Sequence, residues 1–184
     1  MRAPSEHQTA PSLETLLTDG VLAGDWMLDP HHSSIGLRSR VLGGLIRVHG
    51  VFRQVSGSGV VSPAGAVSGT VTVSAASIDT RNARRDTHLR SADFFDSENN
   101  PDITFSADRI GLSGPGVEVA GSLTVRGRSR QLSFDAAASV REDADIWLDA
   151  EVHVNREDFG LTWNLLGMVS KSSTVTIHAV FTRR

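Results

Sequence analysis

The chain reads as an all-β protein, a closed antiparallel barrel of about eight strands with two short helical pieces. Three observations predict this. Apolar and polar residues alternate at period two along most of the sequence. Glycine, proline and serine interrupt the alternation at short intervals, as turns do. One stretch, residues 77–95 (SIDTRNARRDTHLRSADFF), breaks the rhythm with four arginines, three aspartates and a histidine, and ends on adjacent phenylalanines. Alternation gives each strand one apolar and one wet face. Such strands suit a barrel or a sandwich, and the barrel is favoured because closing them into a ring removes the exposed edges they would otherwise present.

Residues 1–11 are polar and proline-containing and are expected to be mobile. Residues 12–18 (SLETLLT) suit a short helix capped by Ser12 and stopped at Gly20. Strand signals begin at Asp25, so residues 1–24 read as an extension and 25–184 as the barrel domain. Ile35, Leu37, Ser39 and Val41 share a face, as do Ile46, Val48, Gly50 and Phe52 after the Gly43-Gly44 break. Val67, Gly69, Val71, Val73 and Ala75 follow. In the 77–95 stretch Asn82 can cap a helix over 83–90, where Asp86 and Arg90 are spaced to pair; Phe94 and Phe95 read as an aromatic plug. The pattern resumes with Ile103, Phe105 and Ala107, then Val117 to Val125, then Leu132, Phe134, Ala136 and Ala138. Ile146, Leu148, Ala150, Val152 and Val154 form the cleanest run, and Val175, Ile177, Ala179 and Phe181 the last. Turn signals stand at Ser62-Pro63, Gly114-Pro115-Gly116, Gly127 and Glu142-Asp143.

Composition excludes several functions. The chain has 184 residues, enough for a substantial core, and no cysteine, so disulfides and thiolate sites are out. A net charge of −3 and the absence of tyrosine argue against nucleic acid. No apolar run approaches a membrane span. Glu6, His7, Gln8 and Glu14 interrupt any signal-peptide core, and a cytoplasmic location is expected.

The apolar face mixes small residues (Gly50, Gly69, Ala75, Gly121, Ala136, Ala138, Ala150, Ala179) with Ile, Val and Phe. Small residues can leave a lumen for an apolar guest; equally, large neighbours can fill the space. On the lumen reading the wall is Ile35, Leu37, Val48, Phe52, Val71, Phe105, Leu123, Phe134, Leu148, Val152, Ile177 and Phe181.

Separated motifs then carry a family resemblance. They are Trp26 with Asp29-Pro30-His31-His32-Ser33-Ser34-Ile35, residues 48–52 (VHGVF), Ser77-Ile78-Asp79-Thr80 with Asn82, Arg85-Asp86, His88-Leu89, Ser91 and Asp93-Phe94-Phe95, then Pro101 and Phe105. Residues 121–127 (GSLTVRG) with Arg130, Asn155-Arg156, Asp158-Phe159-Gly160-Leu161 and Trp163-Asn164 complete the set. From about Asp25 to Phe181 the chain resembles the YceI-like family of lipocalin-like, lipid-binding barrels. The resemblance implies a non-catalytic carrier or store for a long-chain isoprenoid, a quinone tail or polyprenyl phosphate. It further implies no cofactor, the 82–95 insertion at one mouth, and a possible homodimer.

The polar residues admit other readings. Arg85, Asp86 and His88 could serve as acid and base of an enzyme acting on such a lipid, or simply salt-bridge a helix to the rim. Arg126, Arg130 and Arg156 could meet a phosphate, or pair with Asp79, Asp93 or Asp158. His31 and His32, adjacent in a strand, would face opposite sides and not share a metal. His49 and His153 fall on wet faces. Trp147, opposite its strand's apolar face, is expected to pack under the N-terminal segment, and Trp26 and Trp163 to brace a ligand or close the barrel. Gly57, Gly59, Gly65 and Gly69 lack the helix and lysine of a phosphate loop.

Overall fold

The computed structural model describes residues 12–141, 145–164 and 169–184. The stretch 1–11 and the turn signal at Glu142-Asp143 lie outside them.

Eleven strand segments make one sheet. They are β1 (Gly24–Leu28), β2 (Ser34–Val41), β3 (Ile46–Phe52), β4 (Val55–Val61), β5 (Val67–Ser74), β6 (Ile78–Asp79), β7 (Asp102–Ser113), β8 (Gly116–Val125), β9 (Arg128–Val140), β10 (Ile146–Asn155) and β11 (Val169–Arg183). Three pairs of segments run end to end. β1 and β2 both lie along one side of β11, with Leu28 opposite Phe181 and Ile35 opposite Ile177. β4 and β3 pair with β1 and β2, and β5 and β6 pair with β4 and β3. The ring therefore has eight positions, each joined to its neighbour in sequence. β11 closes it by pairing with β10 on its other side.

Local chemistry explains the breaks. Asp29 turns the chain between β1 and β2, its carboxylate accepting from His31 N–H at 2.8 Å and His32 Nδ1 at 2.7 Å. A single 3₁₀ turn, Ala75–Ser77, separates β5 from β6. The two-residue hairpin between β8 and β9 holds Arg126 at φ 50° and Gly127 at φ 68°. Positive φ at both central residues matches the right-handed twist of flanking strands. A bulge between Ala107 and Arg109 lets both Ala107 and Ile110 face inward, a shift that strict alternation misses.

Close approach, and not the width of the lumen alone, fixes two of the glycines expected to widen it. A Cβ on Gly121 would sit 2.1 Å from Ser106 O, and one on Gly50 2.9 Å from Ile78 Cδ1. These residues let strands and side chains approach closely, and Ile78 and Thr80 take the space at Gly50. Gly50, Gly59 and Gly69 line the cavity together with Ala136, Ala150 and Ala179 among larger residues.

Two helices cap the barrel. α1 (Leu13–Thr18) starts at Ser12, whose hydroxyl accepts Thr15 N–H at 3.2 Å, and the chain turns away at Gly20, φ 68°. Its Leu13, Leu16 and Leu17 pack on the cluster of Leu22, Trp26 and Val61 at one rim. Trp26 Nε1 donates to Leu22 O at 3.0 Å, so the indole is buried without an orphaned polar group. α2 (Ala83–Arg90) crosses the opposite rim, where β6, β8 and β10 end. Asn82 Oδ1 accepts Arg85 N–H at 3.0 Å, the N-cap that the sequence predicts.

Trp147 is not beneath α1. It sits on the outer wall, with the Arg141 guanidinium 3.4 Å from its ring centroid and His178 edge-on at 5.2 Å. Trp26 takes the place beneath α1 instead. His31 and His32 lie in the exposed turn before β2 and not in a strand. No helix among the described residues is long and apolar enough to cross a membrane.

Candidate functional site

The barrel encloses a cavity of about 640 Å³. Inward residues of every ring position line it, from Trp26, Ile146 and Phe181 at the α1 end to Phe94, Phe95, Leu161 and Trp163 at the α2 end. All twelve residues expected to form the wall, from Ile35 on β2 to Phe181 on β11, face this space. The period-two pattern puts them there, because a register slip of one residue would send each outward.

At the α2 end, Phe94 and Phe95 meet edge to face at 5.0 Å, and Phe95 packs on Phe52 at 6.0 Å. With Leu89, Phe159 and Leu161 they form the apolar roof of the lumen. The roof is held down by a buried polar link. Asp86 Oδ1 accepts Thr80 N–H at 2.9 Å and Thr80 Oγ1–H at 2.5 Å, and Arg85 Nε donates to Thr80 Oγ1 at 2.7 Å. Arg85 Nη2 adds a bond to Thr80 O at 2.9 Å, and Arg90 Nη2 one to Ile78 O at 2.8 Å. The Asp86–Arg90 pair suggested by their spacing does not form: Asp86 turns to Thr80 and Arg90 to the β6 backbone. The helix is pinned by hydrogen bonds to β6 and its flank rather than by salt bridges. Asp79 instead takes Arg81 N–H at 2.8 Å and Arg53 Nη2 at 2.8 Å. Those two contacts, the backbone bond first, hold its carboxyl below the usual aspartate range.

Polar side chains that face the cavity gather at this end. They include Ser39, Thr80, Asn82, Arg84, Arg85, His88, Arg156 and Ser173, while Ser58, Ser68 and Thr70 of β4 and β5 also border the cavity. Three of them carry a buried polar atom with no partner among the described residues: Ser39 Oγ, His88 Nε2 and Arg156 Nη2. An unsatisfied buried donor is costly, so such atoms mark where a guest's polar group or water would be welcome. His88 is braced by the Trp163 ring at 4.2 Å.

Arg156 differs from the expectation of an acidic partner. It is buried in the loop after β10 and donates to backbone oxygens of Ser170 (2.9 Å), Trp163 (2.9 Å) and Leu161. Burial lowers its pKa from the usual arginine value. Arg126 reaches only Phe94 O at 3.4 Å and Arg130 only its neighbour's carbonyl, and neither lines the cavity. Of the three turn arginines, Arg156 alone meets the lumen.

The acid–base trio is split. Arg85 and His88 face the cavity, whereas Asp86 is turned into Thr80. Among the described residues no three His, Asp or Glu side chains are grouped to hold a metal. His49 is exposed on the outer wall, and His153 meets Thr174 there at 3.2 Å. Sequence reasoning missed Ser39, Asn82 and Arg84 as parts of the polar end, whereas Trp163, expected to brace a ligand or close the barrel, lines the cavity there. The signal for Ser39 was present: it is the one hydroxyl on an otherwise apolar face of β2.

Comparison with known proteins agrees with this geometry. A YceI-like domain model matches residues 26–181. A UPF0312 protein of Serratia proteamaculans is 31% identical over 161 residues, covering 82% of this chain and 83% of that protein. Protein YceI of Escherichia coli O157:H7 is 29% identical over 155 residues, 78% of this chain and 80% of its own. Among solved structures, Burkholderia cenocepacia BcnA superposes with a TM-score of 0.77 at 22% identity, covering 84% of this chain and 99% of that one. A polyisoprenoid binding domain from Saccharophagus degradans, implicated in plant cell wall breakdown, gives a TM-score of 0.70 at 15% identity, with 86% and 98% covered. At those identities the two structures speak to the fold alone.

Proposed function

Because the chain belongs to the YceI-like family, and because its barrel encloses a long apolar cavity with polar atoms at one end, we propose that it binds a long-chain isoprenoid lipid without transforming it. The tail lies along the twelve wall residues, Ile35 to Phe181. The head lies under α2, near Ser39, His88 and Arg156. The carrying observation is the arrangement itself: a mostly apolar lumen and, among the described residues that line it, unpartnered buried polar atoms at the α2 end. A protein of the same fold from Saccharophagus degradans is a polyisoprenoid binding domain, and the same class of guest is proposed here on the strength of the cavity.

The energetics suit a greasy tunnel. Burying one five-carbon unit is worth roughly 4 kcal/mol, at about 0.8 kcal/mol per methylene. A few units suffice for tight binding even after the flexible chain is frozen. Eight units would give a gross term of roughly 30 kcal/mol, beyond the affinity ceiling of about 18–21 kcal/mol, so chain ordering must offset the surplus. Tail recognition therefore needs no hydrogen bond, and the donors at the α2 end are free to discriminate among heads. Arg156 and His88 favour an acceptor, a quinone carbonyl or a phosphate oxygen. The enzymatic alternative is less well served, since Asp86 is committed to Thr80 and does not open into the cavity.

The test is native mass spectrometry, with organic extraction, of protein purified from its own host. A retained long apolar molecule with an oxygen-bearing head supports the proposal. Protein that is repeatedly empty, and takes up neither a quinone nor a polyprenyl phosphate added in detergent, refutes it.

A further inference from the structure

The hairpin joining β2 to β3 stands at the α2 rim, beside the polar end of the cavity. Its tip is apolar and open to solvent: Leu45 is 88% exposed, and Leu42 and Ile46 flank it, also exposed. The backbone there is committed to this shape, with Leu42 at φ 54° and Gly44 at φ 97°. Directly below the tip, Arg40 and Arg47 sit opposite each other on the outer face of β2 and β3. Both are exposed, and among the described residues neither has an acidic partner. Like charges placed directly opposite cost stability. One pair further down, Arg38 faces His49, and there the charge is met by Glu151 of β10. Beside the tip, the second edge of β3 has no partner strand among the described residues from Ile46 to Gly50, since β6 joins only Val51 and Phe52. Arg84 of α2 faces the cavity nearby.

An exposed apolar tip over unneutralised arginines, at the rim where the lumen carries its polar groups, has a definite complement. We propose that this hairpin docks the barrel on an anionic lipid bilayer, with Leu42, Leu45 and Ile46 in the headgroup boundary and Arg40 and Arg47 on lipid phosphates. The charge pattern selects this occupant over a second copy of the chain, because a two-fold contact would oppose the same arginines again. Apolar burial with electrostatic attraction is how interfacial segments bind, and each arginine near an anionic surface is worth about fivefold in affinity. The docking stands apart from the cavity reading, for it needs no lumen ligand.

The experiment is co-sedimentation of the full chain with vesicles of equimolar phosphatidylcholine and phosphatidylglycerol, beside vesicles of phosphatidylcholine alone. Binding is expected to the anionic vesicles only, and to weaken as salt is raised. Leu45→Asp should cut it about tenfold or more, consistent with losing the buried tip. Arg40→Gln with Arg47→Gln should cut it about 25-fold. Both variants change exposed side chains, and unchanged thermal unfolding confirms that the fold survives. No binding by the parent chain at low ionic strength overturns the proposal, as does binding that both variants retain. A dimer in light scattering that Leu45→Asp abolishes, without vesicle binding, would assign the tip to a second copy instead. Lipid retention in the cavity, read by mass spectrometry, stays independent of each of these outcomes.

Discussion

Replacing Asp86 tests what holds α2 over the lumen. Asp86 is 7% exposed and Thr80 6%, and one carboxylate oxygen receives both the Thr80 N–H and its hydroxyl. Asp86→Ala removes two bonds to a charged acceptor and strands the Thr80 N–H in a dry place. The hydroxyl suffers less, because it still accepts from Arg85 Nε. Hydrogen bonds to charged groups contribute about 1.5–3 kcal/mol, and a stranded buried donor costs about 1–3, so a loss of about 3 kcal/mol is expected. For a chain of this size that lowers Tm by about 6–12 °C, at about 2–4 °C per kcal/mol. Asp86→Asn keeps an acceptor in place and should lose only about 1 kcal/mol. Circular dichroism melts measure both, and amide exchange at Thr80 localises the effect. A drop below about 2 °C for the alanine variant would refute the reasoning. So would equal losses for both variants, because the link would then be charge and not geometry.

Two further perturbations follow from the structure. Ala150→Trp projects an indole from β10 into the cavity and should abolish lipid retention in mass spectrometry while the barrel stays folded; undiminished retention by a folded variant would refute the wall assignment. The Asp29–His32 contact makes stability pH-dependent. Its hydrogen bond raises the His32 pKa and, together with the His31 N–H, lowers that of Asp29. The histidine's share is thus full below about pH 6.5 and fades as pH rises through its raised pKa. The aspartate's share is present above about pH 3.9 and fades as pH falls through its lowered one. The Tm difference between parent and His32→Ala should therefore be largest near pH 5 and shrink toward pH 9; a difference constant across that span would refute the pairing.

Much of this barrel is written in period two. The inward set on β2, β10 and β11 follows directly from alternation, because one face of each strand is apolar and the other mostly polar. β4 was harder to see. Its inward positions are Val55, Gly57, Gly59 and Val61, and two glycines erase the apolar signal that alternation depends on. The bulge at residue 108 is invisible for a related reason: the inward pattern skips a residue, and only the partner strand shows why. Asn82 was legible as a cap because capping is local. The Asp86–Thr80 link was not, since i,i+4 spacing favoured Arg90 and only the chain's return along β6 brings Thr80 closer. Whether the lumen was hollow or filled depended on the same small residues, and side-chain volumes do not settle that until the ring's diameter is known.

The packing of α1 has a consequence for traffic. With Leu13, Leu16 and Leu17 packed onto the Trp26 cluster, α1 covers that rim, which favours threading of a linear guest from the opposite side. Under the proposed function the hydrocarbon terminus must enter first and leave last. If the bound lipid is handed on, a receiver would then meet the same chemical end each time, the orientation being set by the vessel.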